Sequence, residues 1–185
     1  MRAVVLAALC ALAAACGSSV REPPAPPPCE LACRDSIAVR AIRETMKLAF
    51  NLTLQGKPVG PQDATTPCPL GGSVRITGTA SSNAFQGATD VDLTYALDGC
   101  AYVFRDDDAE DNYSVTLRGT VRQRGTLAVQ PTATSALVIE SDSLAIVGTV
   151  HDPPVPIDEE CPLRLGQNGN VVSGTFCGRE TGADL

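Results

Sequence analysis

From residue 72 onward the chain alternates apolar and polar positions. Val74, Ile76, Gly78 and Ala80 interleave with Arg75, Thr77 and Thr79, and Val91, Leu93, Tyr95 and Leu97 interleave with Asp92, Thr94 and Ala96. A period of two is the mark of half-buried antiparallel strands. Further runs at 113–121, 126–130, 136–150 and 171–177 continue it, and Leu163 and Leu165 belong to another. Between about 30 and 55 the spacing is helical instead: Ala38, Ala41, Ile42, Met46, Ala49 and Leu52 share one side, and Arg40, Arg43, Glu44, Lys47 and Asn51 share the other. Gly56 and Pro58 supply the stop. The pattern predicts an α+β domain over 30–185, with one N-terminal amphipathic helix packed on a curved antiparallel sheet of about six or seven strands.

Four strands carry a weak repeat, ITGTA at 76–80, LRGTV at 117–121, IVGTV at 146–150 and VSGTF at 172–176. Each glycine has the parity of the buried residues, where it costs packing and chain entropy. The expectation is that these glycines let the sheet bend and bring its backbone close to the helix. RDDDAEDN at 105–112 reads as a strand connection. HDPPVPIDEE at 151–160 reads as a loop, being too rich in proline for an interior strand. Gln-Asn-Gly-Asn at 167–170 is a hairpin turn that brings Cys161 and Cys177 into neighbouring strands. Strict alternation puts these two cysteines on opposite faces, so their pairing needs a bulge or other partners.

At the N-terminus, Arg2 precedes a charge-free apolar run from Ala3 to Ala15, the layout of a secretory signal and too short to span a bilayer. The run Ala13-Ala14-Ala15-Cys16 resembles the lipobox of bacterial lipoproteins, with Ala13 standing where leucine is usual. That resemblance implies cleavage after a signal peptide at 1–15, acylation of Cys16 and membrane anchoring. Gly17, in place of Asp, resembles the pattern that permits outer-membrane sorting. Ordinary cleavage after Ala15, giving a soluble exported protein, is the alternative. The segment 16–29 is then a tether, its GSSVREPPAPPP stiffened by proline. With Cys10 removed and Cys16 lipidated, Cys29, Cys33, Cys68, Cys100, Cys161 and Cys177 remain. An even set in an oxidising compartment reads as up to three disulfides. Cys29 and Cys33 share a helical face, from which each could staple the helix to the sheet through Cys68 or Cys100.

Fourteen basic against twenty-one acidic residues give a net charge of −7, and there is no tryptophan. Neither a basic field nor stacking platforms are available for nucleic acid. The acidic stretch offers Asp106, Asp108 and Glu110 as calcium candidates, without the offsets of an EF-hand, against a solvated hairpin tip. His151, the only histidine, reads as a loop residue of no special role, since no nucleophile motif accompanies it. Arg118, Arg122 and Arg124 share the polar face of one strand, a solvated face before an anion site. No cofactor is implied. The chain reads as a noncatalytic, envelope-anchored protein that binds an envelope protein or an amphiphilic ligand. The competing reading is a hydrolase whose acidic loops bring together a pair such as Asp108 and Asp158. A pocket between helix and sheet favours amphiphile binding.

Overall fold

The computed structural model describes residues 28–57, 59–83, 87–107, 109–128 and 134–185, with the side chains of 82 and 83 left aside. The signal segment, Cys16, nearly all of the tether and Asp108 therefore lie outside the described residues.

Helix α1 (Leu31–Leu54) precedes eight strands: β1 (Gly60–Pro67), β2 (Ser73–Asn83), β3 (Ala88–Phe104), β4 (Tyr113–Ala128), β5 (Ala136–Val150), β6 (Val155–Asn168), β7 (Val171–Phe176) and β8 (Arg179–Asp184). They form one antiparallel meander in chain order, eight strands where six or seven were expected. The alternation holds: Val74, Ile76, Leu93, Tyr95, Val115, Leu117, Ile146, Leu163 and Phe176 are all buried. The two edge strands escaped the pattern because GPQDATTP and RETGAD carry one large-enough apolar residue apiece, Ala64 and Ala183.

The proline-rich segment corrects the loop expectation. Only its first four residues turn, and Val155 onward is strand β6, with Pro156 opposite Thr149 of β5. Strand β7 covers only Leu163–Asn168 of β6, so the first half of β6 has one side unpaired by a strand. Proline is tolerated at such an edge, where no ladder N–H is required of it.

The helix is enclosed by the sheet. Asp35 and Ser36 reach Arg179 and Gly182 of β8, while Phe50 and Leu185, past the end of β8, line one cavity, so helix and strand run side by side. A helix is about 10 Å wide, and the outer strands of a flat eight-stranded sheet stand about 34 Å apart. Yet α1 touches both β1 and β8, as well as β2, β4, β5 and β7. The sheet must curl around it. Bulges in successive ladders, at Leu97/Cys100, Gly119/Arg122 and Ser141/Leu144, sharpen that curl. Ala38, Ala41 and Ala49 are buried as expected, whereas Leu52 is exposed and Thr53 and Leu54 take the inner place.

The repeated glycines act between strands and do not approach the helix. Gly148 has φ +150°, and a Cβ there would lie 2.0 Å from the Ser114 carbonyl oxygen of β4. Gly78, Gly119 and Gly174 have the same backbone and meet Asp92, Ser143 and Arg164 carbonyls in the same way. Only glycine occupies that region without strain.

The six cysteines pair as Cys29–Cys33, Cys68–Cys100 and Cys161–Cys177. The expected staples from helix to sheet are absent, because Cys29 and Cys33 close on each other across one turn. Cys68 bridges the β1–β2 turn to β3. The parity objection to Cys161–Cys177 disappears because Cys177 has left the strand, with φ +52° in the turn to β8.

Candidate functional site

A cavity of about 620 Å³ lies between the second half of α1 and the sheet end carrying the β4–β5 and β6–β7 connections. That volume falls within the range of about 300–1,000 Å³ usual for small-molecule sites. Phe50, Leu127 and Leu185 give it apolar surface, and Arg43, Gln123 and Gln167 give it buried polar groups. The positions follow from the fold: Arg43 sits one turn before Lys47 on α1, Gln123 is opposite Leu93 and Ile139, and Gln167 precedes the Gly169 turn.

Arg43 is the unusual member. It is 3 % exposed and its Nε donates to Gln167 Oε1 at 2.5 Å, while Gln167 Nε2 donates to the Gly169 carbonyl at 2.7 Å. Among the described residues no carboxylate forms an ion pair with it, although every other buried or half-buried arginine of α1 has an acidic neighbour: Asp35 and Glu159 for Arg34, Asp111 for Arg40. Desolvation lowers its pKa, opposed by Tyr95 and Glu44, and arginine stays charged at neutral pH regardless. Gln123 Oε1 and the Tyr95 hydroxyl are buried without hydrogen-bond partners among the described residues. In register these two are diagonal neighbours, since Leu93 faces Gln123 and Tyr95 faces Val121. Burial raises the Tyr95 pKa and Arg43 opposes the shift, so both groups belong to one electrostatic neighbourhood. A buried guanidinium on a cavity, with no ion-pair partner among the described residues, is a group that can receive an anionic head.

Comparison of the chain with protein-family models, curated proteins and solved structures finds no match. The geometry of the molecule therefore carries the argument alone.

At the other end of the helix the sequence-predicted residues gather. Glu110 Oε2 lies 3.7 Å from His151 Nε2, and Asp111 pairs with Arg40, whose guanidinium stands 5.3 Å from the centre of the Phe104 ring. Asn112 ties the acidic loop together, accepting from the Asp106 N–H and donating to the Asp106 and Ala109 carbonyls. The calcium candidates Asp106 and Glu110 thus sit in a loop that asparagine organises, and Asp108 is outside the described residues. His151 is not a free loop residue: it is 7 % exposed, at φ +72°. Asp158 is exposed on β6, opposite Val147. Arg122 and Arg124 are engaged across the strands, with Asp92 at 2.8 Å and Glu140 at 2.7 Å, while Arg118 stands 3.9 Å from Asp98, so the polar face is a cross-strand ladder. The Arg122 hydrogen bond holds the Asp92 carboxyl below its usual range.

Sequence reading missed Arg43, Gln123 and Tyr95 as a group. Arg43 fell on the polar face of the helix, and no local signal says that the sheet closes over that face too. Gln123 was legible in principle, as a polar residue with the inward parity of Val121 and Leu117.

Proposed function

We propose that this is an exported binding protein, anchored through Cys16, whose cavity between helix and sheet takes an amphiphile with an anionic head. The observation that carries the reading is Arg43, a buried guanidinium with no ion-pair partner among the described residues, on a cavity whose mixed lining includes the apolar Phe50, Leu127 and Leu185. Burying a charge without compensation costs several kcal/mol. In the complex, a carboxylate or phosphate head meets that cost, with the ligand's apolar part against Phe50, Leu127 and Leu185. No reacting group is required, and the reading is noncatalytic. The lipobox-like segment supports placement at the cell envelope, facing the periplasm or exterior.

The test is calorimetric titration of delipidated protein with dodecanoate and with dodecanol. Dodecanoate is expected to bind at least about tenfold more tightly, about 1.4 kcal/mol, and Arg43→Gln to erase the difference. Equal affinities in the wild-type protein would overturn the assignment of the anion site. The anchor is tested separately, by intact mass of the membrane fraction: Cys16→Ala should abolish acylation and release the protein.

A further inference from the structure

The N-terminal end of α1 carries a second group of chemically active side chains, independent of the cavity. Cys29, Cys33 and His151 place two sulfurs and a ring nitrogen within 4.8 Å of one another. The two cysteines form a disulfide across one helical turn, with Cα atoms 5.2 Å apart. The chain's only histidine is delivered against them by the β5–β6 turn, at φ +72°, a conformation uncommon outside glycine. Its backbone is fixed too, the N–H donating to the Asn112 carbonyl at 2.6 Å.

We propose that this is a redox-gated site for a thiophilic d10 cation, with Zn²⁺ as the test ion. In the oxidised protein the sulfurs are consumed by their mutual bond. A dithiol reductant breaks that bond by exchange: the Cys29–Cys33 disulfide takes two electrons and two protons and becomes two thiols, while the reductant becomes a disulfide. Zinc then binds both sulfurs as thiolates, releasing those two protons, and takes the imidazole as its third ligand. Tetrahedral zinc with bonds of about 2.3 Å holds its sulfurs about 3.7 Å apart, so the two side chains need separate by less than 2 Å from the bonded distance.

The histidine is prepared for this role. Its Nδ1 stands 3.3 Å from the Pro153 carbonyl. A carbonyl only accepts, so in the neutral imidazole this contact places the proton on Nδ1 and leaves the Nε2 lone pair for a metal, the usual arrangement of a ligating histidine. Glu110 Oε2 stands 3.7 Å from that nitrogen, close enough for a carboxylate oxygen to support a cation bound there. Soft sulfur with imidazole selects zinc or Cu⁺ over calcium and magnesium.

The experiment is titration of the full protein with Zn²⁺ against a chromophoric chelator, before and after mild dithiol reduction, with differential alkylation reporting which disulfides opened. Cobalt substitution counts thiolate ligands by their charge-transfer absorption. One ion per chain is expected after reduction of Cys29–Cys33 and none before. His151→Gln is expected to weaken binding by about 100-fold or more, and Glu110→Gln by about tenfold. The Cys29→Ser/Cys33→Ser variant, reduced identically, controls for thiols from the other disulfides. Binding to the oxidised protein, equal binding to that double variant, undiminished binding to His151→Gln, or no binding after reduction would each overturn the proposal. Fatty-acid binding at Arg43 is unaffected by any of these results.

Discussion

The two ends of α1 differ in how they are held. Where the helix begins, three disulfides, the Asp35–Arg179 and Arg34–Glu159 ion pairs and the Arg40–Asp111 contact bind it and the strand ends together. Where it finishes, no disulfide occurs among the described residues, and a guanidinium faces a cavity with a glutamine for company. One end is compensated charge by charge. At the other, charge and hydrogen-bonding capacity are left open inside the fold, which is what a binding site requires and a purely structural core avoids.

The largest expected effect tests how far the held end carries the fold. Cys68→Ala/Cys100→Ala removes a cross-link closing 32 residues, which the chain-entropy relation puts at about 4 kcal/mol, against about 2 for the short Cys29–Cys33 loop. Denaturant melts of the two double variants check the order. A larger loss at Cys29–Cys33 would make that pair a structural staple; the expected smaller one leaves it available for redox chemistry.

Next comes Arg179→Ala, at about 3 kcal/mol. It strips the cation that bonds Asp35 at 2.6 and 3.0 Å and leaves a carboxylate only 2 % exposed facing Arg34 alone, 4.0 Å away. Asp35→Ala is milder, because Arg179 is a third exposed and can turn to water. If thermal melts rank the two the other way, burial of the carboxylate is not what holds the helix start to β8.

Tyr95→Phe moves the comparison toward the open end and has the opposite sign. The Tyr95 hydroxyl is fully buried with no hydrogen-bond partner among the described residues, so its removal is expected to stabilise by about 1 kcal/mol. Burial raises this tyrosine's pKa above its ordinary value. Its neutral form therefore supports the fold fully below about pH 10, and that support is lost as pH rises above the unfolded-state value. The variant should keep more of its stability between pH 10 and 11.5 than the wild type. Tyr113, also raised by burial, remains in both.

These contrasts also mark what was legible in the chain. Inward parity located Val74, Leu93, Leu117 and Ile146 because each strand solves the same local problem of one wet and one dry face. The edges β1 and β8 were invisible because they bury little apolar surface, and β6 was hidden by Pro156, which is acceptable only where the partner strand has already ended. Disulfide partners depended on where turns leave the strands, as at Cys177, and the site depended on closure of the sheet. Arg43 belongs to a polar helical stripe in sequence and to the interior in the fold, a change that only the curvature of eight strands produces.

The smallest stability effect is the most informative about function. Arg43→Met keeps the length and apolar stem of the side chain and removes the charge. If Arg43 is a structural residue, the variant loses its bond to Gln167 and a buried network, and should fall by about 2 kcal/mol or more, as a broken buried polar pair does. If Arg43 is held for a ligand, the variant sheds an uncompensated buried cation and the two terms offset, leaving stability within about 1 kcal/mol of wild type. A melt of ligand-free protein separates these outcomes, and addition of dodecanoate completes the test. The wild-type midpoint should rise with ligand by mass action, and the Arg43→Met midpoint should stay still. The open end of the helix is then distinguished by what it binds, since removing its charge costs the empty fold almost nothing.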